Sequence, residues 1–247
     1  GCGHQFVGPR PSRQKAGGRG MIEGDGFGPT EFQESTNVSR ETIERLKIYA
    51  DLLKTWSTKL NLVGPGTLEQ IWHRHFLDSA QFLSHGPPKN PDAPQVWADI
   101  GSGAGFPGMV LAIMGASPMH LVEANSNKCE FLSEVARATA TEVTVHDRRV
   151  ETMAPSDFSP TGVNVIAVRA VAPLPKLLKS IDGIITPNTV LLLAAGQDVE
   201  SKLTKASKSW KMTVERLPSI THPASIILRI QDLQANGTNT DNTQPIP

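Results

Sequence analysis

Cysteine is nearly missing from this sequence. Cys2 and Cys129 stand far apart in unlike surroundings, one in a polar leader and one in a helical pattern, which argues against a disulfide framework or a metal knuckle. A reducing, cytoplasmic setting is the expectation. Net charge is missing as well: 24 Lys and Arg balance 24 Asp and Glu, so no overall field draws the chain to nucleic acid or membrane. Any polyanion would have to find a local patch. The longest apolar runs, such as Thr189 to Ala195, fall far short of the roughly 20 residues that span a bilayer, and no signal-peptide stretch opens the chain. Tyrosine occurs once, as Tyr49.

What is there reads in four parts. Residues 1–35 hold nine glycines and few apolar side chains, so they cannot bury enough surface to offset their ordering entropy and are expected to be disordered. Arg10, Arg13, Lys15 and Arg19 could make this leader a basic arm for RNA; the plainer reading is a dispensable leader with Met21 as the natural start. Residues 36–88 predict a small helical cap of two helices. In the first, Ile43, Leu46, Tyr49, Ala50, Leu53 and Trp56 recur at helical spacing behind Ser39 as N-cap. The second starts at a capping box, Thr67 with Gln70, and runs through Leu68, Ile71, Trp72, Phe76, Ala80 and Leu83. Four prolines between 86 and 94 mark a join.

Residues 89–233 alternate short apolar runs with helical patterns, the signature of βαβ units around a parallel sheet. The last two runs, Met212 to Leu217 and Ser225 to Ile230, leave too few residues between them for a crossover helix and must pair antiparallel. The fold expected is α/β, a doubly wound, mostly parallel Rossmann-like sheet closed by an antiparallel hairpin. Residues 234–247 are polar and expected to fray.

The chemistry gathers where the strand Val96 to Ile100 runs into Gly101, Gly103 and Gly105, with Phe106 and Pro107 opening a helix. Glycine there lets backbone approach a ligand, and the helix end offers free N–H groups to an anion. Gly103 to Gly108 also fits the dinucleotide fingerprint, with Glu123 about 20 residues on at the end of the next strand, placed to accept ribose hydroxyls. The motif alone therefore leaves a nicotinamide cofactor or S-adenosylmethionine. Asp99, two residues before the first glycine, and a glycine run starting at 101 favour the methyltransferase register. A short-chain dehydrogenase would need a tyrosine beyond the cofactor half, and Tyr49 lies upstream. Arg169 ends another strand at the same edge, where it either fixes an anion or makes a structural salt bridge. Arg148 and Arg149 could meet RNA phosphates or simply be solvated. His73 and His75, two apart on a helix, do not face one another, so no metal is expected; Arg74 and Asp78 could form an ordinary surface pair.

Trp56-x-x-Lys59-x-Asn61-Leu62-Val63, Arg74-His75-Phe76-Leu77-Asp78-Ser79, Asp99 to Gly108 and Arg169-Ala170 fall in an order and spacing that resembles the bacterial small-subunit rRNA methyltransferase G family, also called glucose-inhibited division protein B. The match extends from about Asn37 to Ile230. The resemblance implies a class I methyltransferase fold, S-adenosylmethionine as cofactor, and transfer to N7 of a guanine in the 530 loop of 16S rRNA by a cytoplasmic monomer. Carried over position by position, it implies cofactor contacts at Gly101, Phe106, Val150, Glu151 and Arg169, with Asp99, Gly103, Gly105 and Glu123 shaping that site. It puts Arg74, His75 and Asp78 near the mouth of the cleft, on the substrate side, and implies no acid/base residue. Two departures stand out: Ala195 and Ile226 occupy positions where relatives usually carry a basic residue. A nicotinamide oxidoreductase and a cofactor-binding module without transfer remain the rivals.

Overall fold

The computed structural model describes residues 26–64, 66–88, 93–169, 173–196 and 198–236. The leader up to residue 25 and the tail from 237 lie outside them, as does Ala170. Seven strands, β1 (Trp97–Ile100), β2 (Met119–Glu123), β3 (Thr144–Asp147), β4 (Val165–Val168), β5 (Val190–Ala195), β6 (Trp210–Pro218) and β7 (Ile226–Ala235), form one sheet in the order β3-β2-β1-β4-β5-β7-β6. All pairs from β3 to β5 are parallel, and β7 runs antiparallel to both β5 and β6. The order reverses between β1 and β4, so a crevice opens at their carboxyl ends.

Strands with helices on both faces must be apolar on both, and β1 and β4 are buried at every position. Alternate residues feed two cores. Trp97, Leu121 and Val165 pack against α4 (Gly108–Ile113) and α5 (Ser126–Ala138); Ala98, Val122 and Ile166 pack against α6 (Leu174–Ile181) and α7 (Val199–Ala206).

The first of these cores continues without a break into the N-terminal helices. Leu46, Tyr49 and Leu53 of α2 (Arg40–Ser57) sit in one cluster with Phe76, Phe106 and Phe131. Ser39 caps α2 as expected, accepting from the Thr42 N–H at 3.1 Å. Three expectations need correction. Residues 29–35 are not disordered: α1 (Pro29–Thr36) carries Phe32 fully buried into the same cluster. Thr67 starts no helix. Its hydroxyl donates back to Gly64 O, and the second cap helix is a composite of a π-helical turn (Trp72–Leu77), one α turn, α3 (Asp78–Ala80), and a 3-10 turn (Gln81–His85). Finally, β7 carries regular structure through Ala235, past the expected limit of 233.

Candidate functional site

The turn after β1 is stitched to β2. The N–H groups of Gly101 and Ser102 both donate to Val122 O, at 2.9 and 3.1 Å. The glycines inside it do two different jobs. At Gly105, with φ +93°, a Cβ would lie 2.5 Å from the Tyr49 hydroxyl and 2.8 Å from Met109 Cβ; at Gly108 it would lie 2.5 Å from both Asp99 Cβ and Leu121. Those two are glycines because protein packs against them. At Gly103 a Cβ would make only an ordinary contact, 3.8 Å from Gly101 O. Below the turn, Tyr49 donates its hydroxyl hydrogen to Ala104 O.

Asp99 is likewise structural in its contacts. The side chain is fully buried, one carboxylate oxygen accepts the Gly108 N–H at 2.9 Å, and the other has no partner among the described residues. Burial pushes its pKa up to about 7. Asp99 shapes the site as a support, holding the start of α4 from beneath.

Two cavities open at this edge of the sheet. The first, about 210 Å³, is lined by Gly101, Glu123, Val150, Glu151 and, unforeseen in the sequence, Lys176. Ile100, Val122 and Leu177 give it apolar walls. Glu123 accepts the Gly103 N–H at 2.9 Å with one oxygen and the Ala124 and Asn125 N–H groups, each at 2.9 Å, with the other. A carboxylate offers about four acceptor positions, so one remains for a ligand hydroxyl. Arg148 and Arg149 also line this cavity, and Arg148 pairs with Asp157 at 2.7 Å.

The second cavity, about 460 Å³, lies beside Arg74, His75, Asp78 and Arg169. Arg169 was expected among the cofactor contacts, and its two readings were left open. The structure shows the salt bridge. Nε faces Asp78 Oδ2 at 3.2 Å; Nη1 donates to His75 O (3.2 Å) and Ser79 Oγ (3.0 Å); Nη2 donates to Arg74 O (3.3 Å) and faces His75 Nδ1 (3.3 Å). All five guanidinium N–H groups are thereby engaged with the cap. Arg169 thus draws on the Arg74 and His75 carbonyls within the π-helical turn. The Arg169 guanidinium further lies 5.5 Å over the Phe106 ring, which stacks on His75 at 4.7 Å and 17°. Burial, then the charges of Arg169 and Arg74, hold the His75 pKa down at about 3, so it is neutral.

Asp78 does not pair with Arg74. Its second oxygen accepts from Thr221 Oγ1 at 2.7 Å and Gln81 Nε2 at 2.9 Å, and Gln81 Oε1 in turn accepts the Ile220 N–H at 3.1 Å. Gln81 and Thr221 thus tie the β6–β7 turn to the cap. Nothing in the sequence marked Thr221; Gln81 could have been noticed as a polar residue on an otherwise apolar helix stripe. Phe106, stacked between Tyr49 and His75, and Gly105, packed on Tyr49, line neither cavity, so the residues expected on the cofactor side are divided among three places.

The likeness to known proteins agrees with this geometry. The model of the family described as rRNA small subunit methyltransferase G matches residues 42–226. The chain belongs to this family. The ribosomal RNA small subunit methyltransferase G of Paramagnetospirillum magneticum is 44% identical over 207 residues, covering 84% of this chain and 97% of that one. That of Rhodospirillum centenum is 40% identical over 211 residues, covering 85% and 94%. Among solved structures, a mutant of MtNAS in complex with S-adenosylmethionine aligns with a TM-score of 0.52 at 11% identity over 86% of each chain, a likeness of fold. Within this methyltransferase G fold, Ala195 and Ile226 prove to be direct cross-strand partners of β5 and β7, both packed on the second core. The two departures are one apolar pair.

Proposed function

We propose that the chain transfers a methyl group from S-adenosylmethionine to N7 of a guanine in 16S rRNA of the small ribosomal subunit. The observation that carries this reading is the pair of cavities at this edge of the sheet, one with a strand-end carboxylate and apolar walls suited to a nucleoside, the other rimmed by Arg74 and His75. When bound, S-adenosylmethionine supplies a sulfonium methyl. Glu123 would hold its ribose through the remaining acceptor position, and Val150 and Leu177 would flank its base.

Guanine N7 keeps a lone pair in the plane of the ring. With that methyl within reach, the carbon–nitrogen bond would form as the carbon–sulfur bond broke, the electron pair would remain on sulfur, and no residue of the chain would have to remove a proton first. The protein's task is alignment. Accordingly, the titratable groups beside the turn offer no free base, with Asp99 supporting the turn and His75 stacked and uncharged. We assign the work to the cytoplasm and to a monomer, with RNA as partner. Among the described residues no helix is long and apolar enough to cross a membrane.

The experiment is transfer of labelled methyl to small subunits and to bare 16S rRNA that lack this modification, followed by mapping of the label. Label at one guanine N7 is expected. Calorimetric binding of NAD with none of S-adenosylmethionine would point to an oxidoreductase, and cofactor binding with no transfer would leave only a binding module.

A further inference from the structure

His75 has one ring nitrogen accounted for and one left over. Nδ1 lies 3.3 Å from Arg169 Nη2, and a guanidinium only donates, so Nδ1 must accept and the imidazole proton belongs on Nε2. His75 is 9% exposed, and Nε2 is buried with no hydrogen-bond partner among the described residues. A buried N–H without an acceptor is costly, and the surroundings fix this one firmly: the ring is stacked on Phe106, its carbonyl accepts from Arg169 and Ser79, and the residue lines the 460 Å³ cavity. Shut from bulk water, Nε2 has no aqueous partner to give up when an acceptor reaches it.

We propose that the Nε2–H of His75 donates a hydrogen bond to O6 of the target guanine and so selects guanine for methylation. This rests on the function proposed above. The edge of guanine that carries N7 displays two acceptors, N7 and O6. N7 must keep its lone pair for the methyl group, which leaves O6 as the atom a donor can hold without blocking the reaction. An adenine in the same position would turn its amino group toward Nε2–H, donor against donor, so the contact rejects the wrong purine as well as holding the right one. Arg169 acts through His75: by occupying Nδ1 it decides which nitrogen carries the hydrogen.

The test uses the full chain and two RNAs, identical except that one carries 2-aminopurine, which keeps N7 and lacks the 6-oxo group, at the target position. Wild-type protein should lose roughly tenfold to a hundredfold in kcat/KM on the 2-aminopurine RNA. His75→Phe, which preserves the stack on Phe106, should lose a similar factor on the guanine RNA, and the two losses should not multiply when combined. His75→Gln, which restores an N–H donor, should recover part of the loss, and calorimetric affinity for S-adenosylmethionine should be unchanged in both variants. Losses that multiply would overturn the proposal. So would equal rates of the wild type on both RNAs, a result that needs no variant to fold. Weakened cofactor affinity in His75→Phe with intact base discrimination would give the hydrogen bond to the cofactor instead. If the wild type methylates neither RNA while binding the cofactor, the proposed function itself fails and this inference falls with it.

Discussion

Asp78 and Arg169 meet 3.2 Å apart at the seam between cap and sheet, with only 22% and 14% of their side chains exposed. Removing one member of a pair so withdrawn from water leaves the other charge uncompensated. Arg169→Ala should therefore cost about 3–5 kcal/mol in a urea titration. Arg169→Lys should recover less than half of that, because an ammonium cannot reach Asp78, Ser79 and the two carbonyls together. A lysine variant as stable as the wild type would show that the clamp is not what holds the seam.

The glycines of the turn should separate by mechanism. Gly103→Ala meets only the strain of a left-handed backbone at φ +56°, about 1–2 kcal/mol, and should still fold. Gly105→Ala adds a collision with Tyr49 and Met109 and should cost about 3 kcal/mol or more. Thermal melts of the two variants decide the matter, and equal losses would contradict the packing role given to Gly105.

Tyr49→Phe retains the ring that stacks on Phe106 at 5.6 Å but leaves Ala104 O without its donor. The expected loss is about 1–3 kcal/mol, accompanied by weaker cofactor binding measured by calorimetry. Unchanged affinity would mean that the turn keeps its shape without this support.

Stability should depend on pH in two opposing ways. Burial, then the neighbouring His146, lowers the His120 pKa to about 4, and His75 falls to about 3. Below pH 6.5 the unfolded chain binds protons that the folded one does not, so both histidines withdraw stability as the solution is acidified toward those values. Asp99 runs the other way: its folded pKa of about 7 lies above the ordinary 3.8, so its contribution is full below pH 3.8 and is lost as pH rises through 7. Asp99→Asn should gain on the wild type by up to about 4 kcal/mol between pH 4 and pH 7.5. Parallel melting curves for the two proteins across that range would show that the carboxyl ionises without penalty.

The sheet was readable because each strand is a short apolar run bounded by turn residues, and the closing hairpin because Pro218 to Ala224 is too short for a crossover. Helix α1 was hidden by the glycine-rich stretch before it, although Pro29 in its first turn and the Gly28 N–H donating to Glu31 at 2.8 Å are local start signals. The composite turn from Trp72 to His85 could not be read, since nothing local marks it and Arg169, which donates to its Arg74 and His75 carbonyls, lies more than 90 positions away. For the same reason Arg169 stood undecided: the end of β4 is visible in the pattern, but what lies opposite it is a matter of tertiary packing.

Tyr49, Phe106 and Phe131 belong to one continuous cluster. Damage to α2 therefore reaches the glycine turn 55 residues downstream without altering a single residue in it. Weakened alleles of this protein should accordingly scatter through a helix that looks, on inspection of the motifs alone, like a dispensable appendage.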